Sequence, residues 1–275
     1  MSTEARLGVA KTYKLYIGGA FPRSESGRSY PVRDAKGGFL ANAAQASRKD
    51  LRDAVTSARK AFAGWSGTTA YNRGQVLYRV AELMEGRRDQ FVAEVASGEG
   101  IAAKRAAGVV AAAIDRWVWY AGWTDKIAAV LGAANPVAGP YFSFTVPEPT
   151  GVVGVLAPVL AAGNTAVVVA SRERPLPSIT LAEVLATSDV PGGVVNMLTG
   201  SAVELAPWLA AHADVNALDL TGAPSIIRTE LEQAAAGTVK RVLRPGTDPD
   251  WTRQPDIRRL RAFLEPKTVW HPMGV

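Results

Sequence analysis

Cysteine is missing from the chain altogether, and histidine occurs only as His212 and His271. Without cysteine the chain has no disulfide bond, no thiolate metal site, no iron–sulfur cluster and no thiol nucleophile. A metal site would need carboxylates for most of its ligands. No acidic group has a convincing spacing for such a site, and Asp248, Asp250 and Asp256 are better interpreted as residues of a solvated loop. We therefore expect no bound metal.

Long apolar runs are also missing. The most apolar stretch, residues 151–170, is interrupted by Pro158 and by Gly163 with Asn164, which favours two buried strands over a membrane span. The first six residues lead into no long apolar region, so a secretory signal is not expected. These observations predict a cytoplasmic protein without a membrane partner.

Positive charge is in excess, but it is not concentrated. The net charge is +6 and the pI about 9.6, yet lysine and arginine are spread along the chain. The densest groups are Arg87 with Arg88, and Arg258 with Arg259 and Arg261. A nucleic-acid-binding protein would cluster such charge with aromatic residues on one face. We interpret both groups as solvated faces and expect no nucleic-acid partner.

The first half of the chain is mainly helical by its apolar spacing. Residues 13–22 predict two short strands about a tight turn at Gly18 and Gly19. Apolar stripes then predict helices over 47–65 (capped by Ser47 or Asp50), 72–88, 90–97 and 104–131. We interpret the aromatic residues of the last stretch as packing residues: Trp117, Trp119, Tyr120 and Trp123.

From residue 141 onward, short apolar strands alternate with helices. Strands are predicted over 141–147, 151–155, 165–169, 194–198, 215–220, 238–243 and 267–270. Helices are predicted between them over 177–187, 202–211 and 225–235. Alternation of this kind predicts a parallel sheet. With 275 residues, of which 48% are hydrophobic, the chain can bury the core of one large domain or of two small ones.

Several segments, in the right order, resemble the aldehyde dehydrogenase superfamily. They are Glu148 to Val155 (Glu-Pro-Thr-Gly-Val-Val-Gly-Val), Ala161 to Thr165 (Ala-Ala-Gly-Asn-Thr), Pro191 to Asn196 (Pro-Gly-Gly-Val-Val-Asn), Leu220 to Gly222 and Lys267 to Trp270. The resemblance covers nearly all of residues 13–245 and the tail. It implies an α/β, truncated aldehyde-dehydrogenase-like fold. This fold would consist of an incomplete Rossmann-type parallel sheet together with N-terminal helices and oligomerisation strands.

The resemblance also implies a division of the chain into three parts. Residues 1–150 would form an N-terminal helical region with pairing strands. Residues 151–245 would form a degenerate Rossmann-like nucleotide-binding region, and residues 246–275 a tail with an oligomerisation strand. The catalytic domain of the family is expected to be absent.

The chemistry of the family depends on groups that have no match here. A thiolate attacks the aldehyde in that family, and the chain has no cysteine. The Glu-Leu-Gly-Gly-Lys segment that carries the general base has no counterpart after Gly222. The Pro-Trp-Asn-Phe-Pro motif, which supplies the oxyanion asparagine, is replaced by residues 157–160, Ala-Pro-Val-Leu. We therefore assign no catalytic residue.

The cofactor NAD(P) is implied by the family only. The family lysine that holds the adenosine ribose aligns with Val169, which offers no donor. The phosphate-binding serine aligns with Ala223, and the next residue, Pro224, has no amide hydrogen. The remaining candidates for vestigial cofactor binding are Gly200, Thr221 and Gly222.

The connection between two of the predicted strands is unusually short. Only residues 157–164 link strand 152–156 to strand 165–169, whereas a parallel crossover with its helix needs roughly a dozen residues or more. The crossover helix of a Rossmann unit is therefore not expected. The two strands would join by a turn at Gly163 and Asn164, as an antiparallel pair, or one strand would be displaced.

Both histidines have structural interpretations. The sequence His212-Ala-Asp214 resembles a catalytic pair, but the family has a turn entering a strand at this position. His271 lies in the tail, where an interface contact is expected.

Three functions remain open: an inactive subunit that assembles with a full-length aldehyde dehydrogenase paralogue or with itself, an NAD(P)-dependent aldehyde dehydrogenase that forms an acid, and a nucleotide-binding module.

Overall fold

A computed structural model describes residues 10–154, 158–244 and 250–274. Its helices are α1 (Arg48–Gly67), α2 (Ala70–Gly86), α3 (Arg88–Glu99), α4 (Ala103–Ala121), α5 (Ile127–Leu131), α6 (Pro158–Ala161), α7 (Leu176–Thr187), α8 (Ala202–Ala211), α9 (Arg228–Ala236) and α10 (Ile257–Ala262). Its strands are β1 (Thr12–Tyr13), β2 (Ser29–Arg33), β3 (Phe39–Ala44), β4 (Ala133–Asn135), β5 (Tyr141–Pro149), β6 (Val152–Gly154), β7 (Thr165–Val169), β8 (Val195–Leu198), β9 (Ala217–Asp219), β10 (Arg241–Leu243) and β11 (Leu264–Pro272). None of the helices in these ranges is long and apolar enough to cross a membrane.

Helix α1 begins where its capping residues predict. The Ser47 side chain accepts hydrogen bonds from the main-chain N–H groups of Lys49 and Asp50, and the Asp50 carboxylate accepts from the Ser47 N–H at 2.8 Å. This reciprocal pair satisfies amide groups that have no partner in the first helical turn. The buried residues of the helix recur at helical spacing: Leu51, Ala54, Val55, Ala58 and Trp65.

The helix predicted over 104–131 is broken into α4 and α5. Helix α4 ends at Ala121, and the hydroxyl of Thr124 donates to the Ala121 main-chain oxygen at 3.0 Å in the turn that follows. A Cβ at Gly74 of α2 would lie 2.7 Å from the Thr124 hydroxyl, so the glycine permits α2 to pack closely on this turn. The packing interpretation of the aromatic residues is confirmed for Trp117 and Tyr120, which are buried in the core.

The central sheet has the strand order β10-β9-β6-β7-β8, and all its strand pairs are parallel. Buried side chains of α2 to α7 pack on one face of this sheet, and those of α1, α8 and α9 pack on the other. Helices on both faces of a parallel sheet define the α/β class. The predicted class, with its Rossmann-type parallel sheet, N-terminal helices and pairing strands, is confirmed.

The antiparallel alternative for the short connection is wrong. Strands β6 and β7 are parallel neighbours, with Val152 opposite Thr165 and Val153 opposite Ala166. Residues 155–157 lie outside the described ranges, and the rest of the connection is the single turn α6 followed by Gly163, whose φ of +91° reverses the chain. Within the described part of the connection, residues 158–164, the only helix is the single turn α6.

A second, antiparallel sheet has the order β11-β5-β4. Strand β11 pairs with β5 over nine residues, from Leu264 opposite Pro149 to Pro272 opposite Tyr141. The predicted tail strand 267–270 is thus confirmed and is longer than expected. Since β5 occupies one side of β11, the other side is an edge of this sheet. A third sheet, β1-β3-β2, lies near the N-terminus.

The predicted turn at Gly18 and Gly19 is confirmed. Ile17 and Ala20 exchange both main-chain hydrogen bonds across it, at 3.0 and 3.1 Å. Both glycines have a positive φ, +64° and +82°, as two-residue hairpin turns require. A Cβ at Gly19 would lie 2.9 Å from the Gly192 Cα, so the turn packs backbone to backbone on the loop before β8.

Candidate functional site

A cavity of about 160 Å³ lies between α8 and α9, where β6, β7 and β9 end. The last residues of these strands, Gly154, Val169 and Asp219, line it. The carboxyl ends of parallel strands are where open α/β sheets bind their ligands. The described residues therefore place one candidate site here.

An ion pair with a fully buried carboxylate lies beside this cavity. Asp219 has a fully buried side chain, and its Oδ2 accepts a hydrogen bond from Nη2 of Arg259 at 2.7 Å. The same guanidinium nitrogen donates to the hydroxyl of Thr221 at 2.6 Å. The other carboxylate oxygen, Oδ1, accepts from the N–H and the hydroxyl of Thr221, at 2.8 and 2.5 Å. The indole of Trp251 covers the guanidinium, 4.8 Å from its central carbon.

The interpretation of the arginine groups as solvated faces is therefore wrong for Arg259. Its side chain is 19% exposed, whereas that of its neighbour Arg258 is 89% exposed and pairs with Asp256 on the surface. The difference arises because α10 turns one arginine toward β9 and the other toward water. Arg87 is also paired, with Glu183 at 2.6 Å.

The three predicted cofactor-binding residues occupy different surroundings. Gly222 lines the cavity. Thr221 lies beside it, with its N–H and hydroxyl engaged by Asp219 and Arg259. Gly200 precedes α8, and a Cβ there would lie 3.2 Å from the Ala46 main-chain nitrogen, so it packs against the backbone rather than lining the cavity. A cofactor role for these residues stays a prediction.

The sequence resemblance implies a dinucleotide cofactor. The described residues around the cavity do not fit one. Val169, which lines the cavity, has no side-chain hydrogen-bond donor. At the turn after β9 the N–H of Ala223 donates to the Leu220 main-chain oxygen at 3.1 Å, and Pro224 has none. Neither Ala223 nor Pro224 therefore offers a free main-chain N–H to a phosphate.

The remaining polar candidates of the sequence have structural contacts. Nδ1 of His212 accepts a hydrogen bond from the Asp214 N–H at 3.2 Å, within the turn that leads toward β9. His271 lies on β11, opposite Phe142. Asp256 lies in the exposed loop before α10, as expected, and it also caps that helix by accepting from the Arg258 N–H at 2.9 Å.

The acidic tail residues form no metal cluster within the described ranges, where no three His, Asp or Glu side chains are grouped to hold an ion. Asp250 accepts from the Thr252 N–H at 3.0 Å in an exposed turn. Asp248 falls outside the described ranges. The acidic residues of the tail that are described therefore serve local turns and caps.

Comparison with known proteins identifies the family. The aldehyde dehydrogenase family model matches residues 22–244. The chain is 31% identical over 262 residues to cytosolic 10-formyltetrahydrofolate dehydrogenase of Mus musculus, covering 86% of this chain and 28% of that protein. It is also 31% identical over 247 residues to mitochondrial benzaldehyde dehydrogenase of Antirrhinum majus, covering 83% of this chain and 46% of the relative.

Solved structures agree with this result. The NAD+ complex of aldehyde dehydrogenase from Bacillus cereus superposes with a TM-score of 0.79 at 25% identity, covering 84% of this chain and 50% of the other. HpcC from Thermus thermophilus gives a TM-score of 0.78 at 30% identity, with 84% and 47% covered. The chain spans half or less of the length of these proteins. By the extent of the family match, the chain belongs to the aldehyde dehydrogenase family.

Proposed function

We propose that this chain is a non-catalytic, aldehyde-dehydrogenase-like subunit that assembles through β11 with a complete aldehyde dehydrogenase or with a second copy of itself. The observation that carries the proposal is the open edge of β11. All nine of its residues pair with β5, and its other side has no strand partner among the described residues. A long exposed edge offers a row of unpaired N–H and C=O groups to another strand.

Aromatic residues beside this edge support the same proposal. Trp270 is 58% exposed and meets Tyr141 edge to face, with ring centroids 5.9 Å apart. Phe142, on the opposite face of the sheet, is 50% exposed and stacks on Phe144 at 5.3 Å. Exposed aromatic side chains of this kind are enriched at protein interfaces. Both faces of the sheet therefore carry apolar contacts that a partner would cover.

The non-catalytic part of the proposal is supported by composition. These 275 residues contain no cysteine, so a thioester intermediate cannot form on them. The described residues around the cavity do not fit the dinucleotide that would accept a hydride. We propose that the assembly forms in the cytoplasm, a placement that cell fractionation checks.

Co-expression with a complete aldehyde dehydrogenase of the same organism tests the proposal. Affinity purification of this chain should retain that enzyme, or sedimentation velocity at micromolar concentration should give a dimer or larger assembly of the chain alone. The variant Trp270→Lys places a charge on the apolar part of the edge and should weaken either assembly at least tenfold.

The matched control is Tyr71→Lys, because Tyr71 is 67% exposed on α2, in another element of the fold. It should leave assembly unchanged. A chain that stays monomeric both alone and beside the complete enzyme contradicts the assembly proposal. NADH formation from aldehydes by the purified chain contradicts the non-catalytic part.

A further inference from the structure

A second pocket lies where three connections meet: the turn after β2, the end of α3 and the loop between β7 and α7. Its volume is about 480 Å³, and it shares no lining residue with the cavity between α8 and α9. Three arginine side chains, Arg33, Arg172 and Arg174, contribute to its wall. The pocket is therefore a separate candidate site for a negatively charged ligand.

Two of these arginines have no carboxylate partner in the part of the chain that the structure describes. Arg174 is paired, with Glu99 at 2.6 Å. Arg33 donates to a main-chain oxygen at 2.9 Å. The guanidinium of Arg172 lies over the ring of Tyr30, with its central carbon 4.9 Å from the ring centroid. Since arginine stays ionised in proteins, Arg33 and Arg172 each offer a positive charge to an anion.

The acidic residues of the pocket are engaged by the chain itself. Oδ1 of Asp34 accepts two main-chain N–H groups of its own turn, at 2.8 and 2.7 Å. Glu173 accepts from the Ser171 hydroxyl at 3.2 Å. Both carboxylates lessen the attraction of the pocket for an anion. Direct contact with the two unpaired guanidiniums, and not net charge, must therefore supply the binding.

The hydroxyl of Tyr30 is a buried donor without an acceptor among the described residues. Tyr30 lines the pocket and is only 6% exposed. Burial raises the pKa of this phenol to about 12, while the charge of Arg172 opposes the shift and that of Glu173 adds to it. The hydroxyl therefore keeps its proton at neutral pH. A buried hydroxyl without a partner costs free energy, which an acceptor on a ligand would recover.

We propose that this pocket binds the phosphate group of a small phosphorylated molecule. The guanidiniums of Arg33 and Arg172 donate to the phosphate oxygens, because the planar fork of arginine matches the geometry of phosphate. A phosphate monoester carries a charge of about −2 at neutral pH, which two guanidiniums balance. When Arg172 turns from the ring to the anion, the Tyr30 hydroxyl donates to a phosphate oxygen. The proposal does not depend on assembly through β11.

Titration of the purified chain with inorganic phosphate and with glycerol 3-phosphate tests the proposal. Phosphorus NMR should show saturable binding of both at constant ionic strength, and calorimetric melting should show a higher melting temperature with each. Acetate has one charge and no tetrahedral oxygens, so it should bind at least roughly tenfold more weakly than phosphate.

Two variants and a control locate the binding. Arg172→Met should weaken the binding of inorganic phosphate by roughly tenfold or more, because a charge-assisted contact is lost. Tyr30→Phe should weaken it roughly two- to tenfold without destabilising the free protein, because it removes a hydroxyl that had no partner. The control Arg261→Met removes the same charge from an exposed position of α10 and should leave the affinity within about twofold of wild type.

The absence of saturable phosphate binding up to roughly 10 mM overturns the proposal. Binding that Arg172→Met leaves unchanged also overturns it, as does an equal loss in Arg172→Met and Arg261→Met, which would show general attraction to a basic protein. Acetate that binds as tightly as phosphate overturns the assignment of the ligand. If Tyr30→Phe does not melt cooperatively, Arg172→Met decides, because its side chain is exposed and its loss leaves the core intact.

Discussion

The side-chain amide of Asn164 donates a hydrogen bond of 2.9 Å to the main-chain oxygen of Phe263. The side-chain oxygen of the same asparagine accepts from the Gly151 N–H at 2.7 Å. Asn164 is fully buried, and Phe263 is the residue between α10 and β11. One asparagine thus joins the start of β6, the start of β7 and the junction that leads into the tail strand.

Asn164→Ala should destabilise the protein by roughly 2–4 kcal/mol, because it leaves the Gly151 N–H without its partner in the core and removes one of the bonds to Phe263. Chemical denaturation measures this free energy. Hydrogen exchange should also become faster in residues 264–272, since the tail loses part of its anchor. The control Asn72→Ala removes an exposed side chain from α2 and should change stability by less than about 0.5 kcal/mol. Equal effects of the two substitutions would contradict the anchoring role.

Gly19→Ala should destabilise the protein more than Gly27→Ala, although both residues have a positive φ, +82° and +67°. The second substitution costs only the conformational strain of a side chain in the left-handed region, about 1 kcal/mol. At Gly19 the new Cβ also meets the Gly192 Cα at 2.9 Å, whereas nothing lies within 4 Å of a Cβ at Gly27.

Because a backbone contact cannot give way like a flexible side chain, we expect a loss of roughly 2–4 kcal/mol for Gly19→Ala. Urea unfolding of both variants checks the order. A smaller loss at Gly19 than at Gly27 would show that the turn moves away from the Gly192 loop at little cost.

Local patterns predicted local structure well. The Ser47-x-x-Asp50 spacing identified the start of α1, because a capping box is complete within four residues. The two glycines of the early turn were likewise sufficient to predict it. Helix and strand periodicity placed β7, α7 and α8 within a residue or two of their positions.

Long-range relationships could not be predicted in the same way. Nothing near Arg259 distinguishes it from Arg258, since its partner Asp219 lies forty residues earlier in the sequence. The parallel pairing of β6 with β7 could not be predicted from the general rule on crossover length, since the described part of their connection contains only the single helical turn α6. The full length of β11 depends on its pairing with β5, which lies more than a hundred residues away.

Because of Glu94, we expect the free energy of unfolding to fall as the pH rises. Burial raises the pKa of its carboxyl above the ordinary value, an effect that hydrogen bonds from Thr180 and Gln90 and the charge of Arg87 partly offset, while Glu183 adds to it. Oε1 accepts from the Thr180 hydroxyl at 2.7 Å and from the Gln90 amide at 3.0 Å, and Oε2 is buried with no hydrogen-bond partner among the described residues.

Since the folded pKa exceeds the unfolded one, this group favours the folded state below the unfolded pKa of about 4.3, and that contribution is lost as the pH rises through the folded pKa. Glu94→Gln should therefore gain stability relative to wild type between acidic and neutral pH, by less than about 1 kcal/mol because the site is partly screened by solvent. Thermal unfolding of both proteins across this range measures the difference. Glu85→Gln, at an exposed surface pair with Arg88, is the control and should show no such trend. A gain of Glu94→Gln that shrinks toward neutral pH would contradict the assignment.

Arg259→Ala should destabilise the protein by about 3–5 kcal/mol, because it leaves the carboxylate of Asp219 charged and fully buried without its cation. Arg258→Ala, one residue away, removes a charge that is 89% exposed and should change stability by no more than about 0.5 kcal/mol.

A double-mutant cycle separates the ion pair from the packing of the arginine on Trp251. Asp219→Asn removes the buried charge, so Arg259→Ala should cost much less in that background, with a coupling of roughly 0.5–3 kcal/mol. Denaturant unfolding of the four proteins gives this coupling directly. If the costs simply add, Arg259 stabilises the fold through its contact with the indole, and the carboxylate of Asp219 is held by Thr221 alone.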